Sequence, residues 1–169
     1  ISTTNIALAL CDTAETVYKG KVDKDVVVAG TLVHDVFKSL TYTERPNGSY
    51  ASAALAERLD HLTLGVAELI RRGFPLSIVH IVDSHMGWQH GPIGPRTIEA
   101  LIVHLADMAD SRLNGEVLLA AQYLLRESTG VELNRMTAVE AFEIVNAKAH
   151  RGWEGVPKAL DRIRKRRKK

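Results

Sequence analysis

Apolar residues recur at three- and four-residue intervals through most of this 169-residue chain, and that spacing confines it to helices. Ile98, Leu101, Ile102, Leu105 and Met108 show the pattern from Thr97 to Leu113, with Asn114-Gly115 expected to close the segment. Ile6, Leu10, Ala14 and Val17 mark a first helix with Gly20 as its stop signal. Leu55, Leu59, Leu62, Val66, Leu69 and Ile70 mark a long helix from about Ala51 to Arg72, ended by Gly73. Pro75 opens another that carries Ile78, Val79 and Val82. Further helices are expected around Glu116 to Arg126, Thr137 to Ala149, and from Pro157 into the C-terminus; Thr137 and Glu140 have the spacing of a capping box. The stretch Val26 to Val33 is β-branched enough to pass for a buried strand. Leu32, Val36, Phe37 and Leu40 continue the helical spacing beyond it, so a helix is expected. Thr43 to Tyr50, around Pro46-Asn47-Gly48-Ser49, and the Gly- and Pro-rich run Gly87 to Pro95 read as loops. No segment after Val33 alternates with the two-residue period of strands, and the expected fold class is all-α.

With 46% hydrophobic residues, a chain of this length can bury about two thirds of the surface its unfolded form exposes. Charged residues make up 25% and the formal net charge is +2, so the body of the chain shows no general commitment to a polyanion. The positive excess lies at the end, where residues 162–169 read Arg-Ile-Arg-Lys-Arg-Arg-Lys-Lys. That octapeptide is either a frayed solvated tail or a nucleic-acid contact through Arg162, Arg164, Lys165, Arg166 and Arg167. The single cysteine, Cys11, excludes an internal disulfide framework and Cys-rich zinc modules. It fits a cytoplasmic compartment and leaves His and carboxylate side chains as metal ligands. Residues 1–10 have no basic residue ahead of them and no long apolar run, so neither a signal peptide nor a membrane span is expected there. The expected organisation is a helical core over residues 1–113, further helices over 114–161 packed on it, and a basic tail over 162–169.

Six of the seven histidines fall between His34 and His104, among Asp35, Asp60, Asp83, Asp107 and Asp110. Several lie on or beside apolar helix faces, where an unpaired imidazole or carboxylate costs roughly several kcal/mol unless something satisfies it. Adjacent residues on a helix diverge by about 100°, so His34 and Asp35 can both meet a metal only if the helix passes close beside it. Lys38, one turn later, can offer its ammonium to an anionic substrate. His104, Asp107 and Asp110 form a stripe that reads equally well as a solvated face. His61, taken singly, reads as an ordinary boundary histidine. His80 and His85 are five apart, about 140° on an ideal helix, so a shared ion would need His85 at a frayed end.

The order of these groups is more specific than any one of them. His34-Asp35-Val-Phe-Lys38, then Asp60-His61, then His80-Ile-Val-Asp-Ser84-His85-Met-Gly87, then Pro95 to His104 and Asp107 resembles the HD-domain metal-dependent phosphohydrolases. Within them it is most similar to the branch of HD-domain 3′-to-5′ exoribonucleases. The resemblance covers roughly residues 1–113. It implies a helical bundle with one or two divalent ions, among Mn, Fe, Zn, Ni, Co and Mg. His34, Asp35 and Asp107 would belong to the first site; His61, His80 and His85, with Asp35 bridging, to the second. The chain departs from the family in three places. The family's first-helix histidine is missing, and Ser2 to Ala7 resembles the segment just after it, which places that histidine a position or two upstream of Ile1. Met86 stands where a second histidine is usual, and Phe37 where glycine is usual.

The resemblance implies hydrolysis of a phosphoester by a metal-activated hydroxide, with Asp35 and Lys38 as the catalytic pair. Weaker expectations place substrate contacts at Trp88 and His90. The leading expectation is a phosphodiesterase or nuclease acting on nucleic acid, with RNA or a nucleotide as partner and no membrane. The alternatives are a nucleotide or small-molecule phosphatase, or a helical nucleic-acid-binding module whose metal site is degenerate.

Overall fold

Capping and small residues set where the helices begin and how closely they approach. The computed structural model describes residues 1–46 and 49–168. The fold class is all-α, in two compact units, residues 1–110 and residues 111 onward.

In the first unit, α1 (Ser2–Thr16) buries Ala7, Cys11 and Ala14, small side chains that admit a close neighbour. α2 (Lys24–Val33) starts at Asp23, whose carboxylate accepts the N–H groups of Asp25 and Val26 and so satisfies two donors of the first turn. Then come α3 (Lys38–Thr41), the strand pair β1 (Tyr42–Glu44) and β2 (Tyr50–Ser52), a 3-10 turn at Ala54–Glu57, α4 (His61–Arg71), α5 (Leu76–Ser84) and α6 (Gly87–His90). α7 (Ile98–Thr129) follows. A Cβ at Gly30 would lie 2.7 Å from two Ile81 carbons, so the packing of α2 on α5 depends on glycine there. Val27, Ile81, Val103 and Ala106 are fully buried with Ala7 and Cys11, and Leu69, Val79 and Val82 form a second cluster. Truncating Ile81 to alanine would cost about 2–5 kcal/mol.

In the second unit, Leu125 of α7, Ile144 of α8 (Ala138–Arg151) and Ile163 of α9 (Gly155–Arg167) are fully buried together. The capping box forms as expected: Thr137 Oγ1 accepts the Glu140 N–H, and the Glu140 carboxylate accepts the Thr137 N–H.

Several expectations change. The helix expected from Ala51 to Arg72 is β2, the 3-10 turn and a shorter α4, because Asp60 caps a new helix by accepting the Thr63 N–H at 2.7 Å. The loop expected over Thr43 to Tyr50 contains parts of a strand pair; its turn residues Asn47 and Gly48 lie outside the described residues. Val26 to Val33 is helical, yet the helix stops at His34 rather than continuing to Leu40. Gly87 to His90 form one helical turn within the expected loop. α7 runs through Asn114-Gly115 to Thr129; a glycine inside a helix costs only about 1 kcal/mol, which the flanking turns outweigh.

The basic tail is folded as well. Residues 162–167 belong to α9, where Arg162 and Arg166 bond to Glu143 at 2.8 and 2.5 Å and Arg167 to Glu140 at 2.5 Å. Arg162, Arg166 and Arg167 are therefore ion-pair partners within the chain, although they are exposed, as are Arg164 and Lys165; Lys169 lies outside the described residues. Among the described residues, no helix is long and apolar enough to cross a membrane.

Candidate metal centre

The end of α2 delivers the His-Asp pair. His34 is its C-cap, and residues 34–37 turn before α3 begins. Ending the helix removes the angular problem that two neighbours on a continuous helix would have. The His34 Nδ1 is 2.8 Å from the Thr31 carbonyl, which only accepts, so Nδ1 carries the proton and Nε2 keeps its lone pair. His85, C-cap of α5, is held the same way, with Nδ1 2.8 Å from the Val82 carbonyl. His61 opens α4 behind the Asp60 cap, Lys38 opens α3, and Asp107 comes from α7.

These side chains converge on Asp35. Its Oδ1 lies 3.4 Å from both His61 Nε2 and His85 Nε2. Its Oδ2 lies 3.4 Å from His34 Nε2 and 2.7 Å from Lys38 Nζ. His34 Nε2 is also 3.4 Å from Asp107 Oδ1. Two sets of donor atoms result, Asp35–His61–His85 and His34–Asp35–Asp107, with Asp35 common to both. The rings of His34 and His61 each meet His85 edge-on, with centroids 5.0 and 5.6 Å apart.

The contacts of Asp35 Oδ1 at 3.4 Å are longer than ordinary hydrogen bonds and do not form any. Asp35 Oδ1, His61 Nε2 and His85 Nε2 are accordingly buried and lack any hydrogen-bond partner. Buried lone pairs aimed at one another repel, and a cation relieves that. Donor atoms 3.4 Å apart are also what one ion shows when its ligands sit about 2.1 Å away at near-tetrahedral angles. The residues present therefore fit divalent ions, and nitrogen and oxygen donors without sulfur do not select one metal.

Electrostatics bear on each of these groups. Burial works against ionising Asp35, but His85, Lys38 and His34 overcome it and hold its carboxyl below the usual carboxylate range. Burial likewise opposes ionising Asp107, and His34 outweighs it, so its pKa is lowered. Burial lowers the His61 pKa, with Lys38 and His85 adding to it against Asp35, so the ring stays neutral and able to ligate. For His34, burial is outweighed by Asp107 and Asp35 and the pKa rises, so without an ion these two carboxylates favour a proton on Nε2, which a metal would displace.

His34, Asp35, His61, His85, Asp107 and Lys38 are thus brought together, and His80 is not. Its Nε2 accepts the Arg96 N–H at 3.0 Å, which pins the loop before α7, and it belongs to neither donor set. Trp88 is exposed with its ring against Gly94, and His90 is exposed; neither enters the donor sets. Asp110 accepts the hydroxyls of Ser2 and Thr3 at 2.6 and 2.9 Å, tying α7 to α1. His104 Nδ1 donates to the His85 carbonyl at 2.7 Å, and Gly87, at φ +73°, has no room for a Cβ against the His104 ring. The backbone that aims His85 is therefore held from α7. Spacing alone read His104 and Asp110 equally well as part of a solvated face, because these contacts are to distant backbone and hydroxyl groups.

A fold of helices around a His-Asp pair whose aspartate is shared by two donor sets defines a class. The family model of the HD domain matches residues 1–111, and the chain belongs to that family. It is 39% identical over 152 residues to the dihydroneopterin 2′,3′-cyclic phosphate phosphodiesterase of Methanocaldococcus jannaschii, covering 90% of this chain and 60% of that protein. It is 31% identical over 140 residues to Ribonuclease Y of Acidothermus cellulolyticus, covering 82% of this chain and 22% of that protein. The chain thus spans less than two thirds of either relative, and the expected closeness to an exoribonuclease branch gains little from the lower match. No solved structure matches significantly.

Proposed function

We propose that this chain is the catalytic HD domain of a metal-dependent phosphodiesterase acting on a small cyclic phosphodiester. The observation that carries the reading is the convergence of three buried, partnerless donor atoms, Asp35 Oδ1, His61 Nε2 and His85 Nε2. The small substrate is favoured over nucleic acid by the phosphodiesterase relative and by the engagement of Arg162, Arg166 and Arg167 with Glu143 and Glu140.

Divalent ions in the two donor sets would neutralise phosphoryl charge and acidify water. The chain's own part is preorganisation. Asp35 presents one carboxylate oxygen to each set, so a single side chain fixes their spacing. The Thr31 and Val82 carbonyls hold His34 and His85 in the tautomer that ligates, with no reorientation needed when an ion arrives. Lys38 meets Asp35 through its ammonium while its side chain is 39% exposed, so it can also meet a phosphate oxygen from solvent. Neutral His61 adds a ligand without adding charge.

The test is hydrolysis of guanosine 2′,3′-cyclic phosphate by the full chain with added manganese, with chelator, and by Asp35→Ala. The expected result is turnover that chelator stops and that Asp35→Ala lowers on the order of 1,000-fold. Turnover that persists in chelator, or that survives Asp35→Ala, contradicts the reading.

A further inference from the structure

The strand pair follows directly on the helix that carries Lys38. The Tyr42 N–H donates to the Lys38 carbonyl, and the Ala53 N–H donates to the Thr41 carbonyl at 2.9 Å, so the base of the pair is tied to α3. In the antiparallel register Tyr42 faces Ser52 and Glu44 faces Tyr50. Residues two apart on a strand share a face, which makes Tyr42 and Tyr50 diagonal neighbours on one side of the pair. Both are unusually open for large rings, 48% and 69% exposed. With Lys38 and Ser39 they line one surface pocket. At its edge the Lys38 ammonium reaches Asp35 Oδ2 at 2.7 Å, the carboxylate common to both donor sets. One continuous surface therefore leads from two tyrosine rings to the place where a phosphate would be held.

Resting on the phosphodiesterase reading, we propose that Tyr42 and Tyr50 form a stacking site for a flat, fused heteroaromatic group of the substrate, a purine or pterin-like ring system, with its phosphate at Lys38. A tyrosine face accepts such a ring whatever its edge pattern. An aliphatic polyol phosphate offers nothing to stack and would engage Lys38 alone. A contact between the two side chains across the strands would be a structural role instead. That structural role alone would affect every phosphate ligand alike.

Calorimetric titration of the full chain in chelator, where no turnover occurs, separates these roles. The probes are guanosine 3′-monophosphate and glycerol 3-phosphate. The chain should bind the guanosine probe more tightly, and Tyr42→Ala and Tyr50→Ala should each erode that preference by about tenfold. Tyr42→Phe and Tyr50→Phe should keep it within about twofold, since the stacking face remains. Equal binding of the two probes by the unaltered chain, binding of neither, or a preference that the alanine variants retain overturns the inference. A metal-dependent assay with glycerol 1,2-cyclic phosphate checks the underlying activity separately. If that ester is cleaved while the guanosine preference is insensitive to both tyrosines, stacking fails and the phosphodiesterase reading stands; if no cyclic ester is cleaved, the titration still decides the stacking site.

Discussion

From residue 111 onward, two glutamates of α8 meet arginines of α9. Glu143 holds Arg162 and Arg166, and Glu140 holds Arg167 while capping α8. In residues 1–110, three histidines and two aspartates crowd together with three buried donor atoms left without partners. Leaving such atoms unmet costs about 1–3 kcal/mol each. A unit evolved only for stability would have resolved them as α8 and α9 do. The contrast separates charge that closes a structure from charge held ready for a ligand.

Metal titration probes that contrast most strongly. Manganese at a hundred times its dissociation constant should stabilise the chain by about 2.7 kcal/mol in thermal unfolding. The His61→Ala/His85→Ala double variant should lose most of this, and Glu140→Gln should keep it. Equal stabilisation of the double variant would erase the distinction between the two kinds of charge.

Gly87→Ala sharpens the comparison inside the first unit. A Cβ at φ +73° against the His104 ring should cost about 1–3 kcal/mol. By disturbing the His104 contact to the His85 carbonyl, it should also weaken metal binding roughly 10- to 100-fold, read by competition with a chelating dye. Unchanged affinity would mean that α7 does not aim His85.

The smallest effect belongs to the second unit. Arg167, with the Thr137 backbone, holds the folded Glu140 carboxyl at about 2, below its ordinary value of 4.5. Arg166 and Arg162 outweigh burial and lower that of Glu143. A lowered folded pKa gives stability that is present above the unfolded pKa and lost as pH falls through the folded one. Glu140→Gln should therefore cost about 1 kcal/mol or less at pH 7, since the pair is partly solvated. The cost should shrink as pH drops from about 4.5 towards 2, in chemical denaturation series. A penalty independent of pH would assign it to packing.

The order of histidines and aspartates made the centre legible from sequence, but its local geometry was not. His80 matches the family pattern in a linear reading, yet it stands outside both donor sets with its Nε2 bonded to the Arg96 backbone, a contact across 16 residues that spacing does not report. The break before α4 was readable: Asp60 stands three residues before Thr63 at the head of an apolar run, a cap signal that the helical periodicity on either side overrode. The strand pair was readable too, since Asn47-Gly48 lies between two short Tyr-containing segments. Its three-residue strands are too short for a period-two pattern to stand out. The basic run is an exposed but ordered part of α9, paired with glutamates about 20 residues away, and a run of like charge does not show such distant partners in sequence.

Anomalous diffraction from manganese-loaded crystals of the full chain is the most direct measurement of the central claim. The account predicts a peak within coordinating distance of Asp35 Oδ1, His61 Nε2 and His85 Nε2, and, where the second set fills, another beside His34, Asp35 and Asp107. A map in which Asp35, His61 and His85 surround no anomalous peak would contradict it.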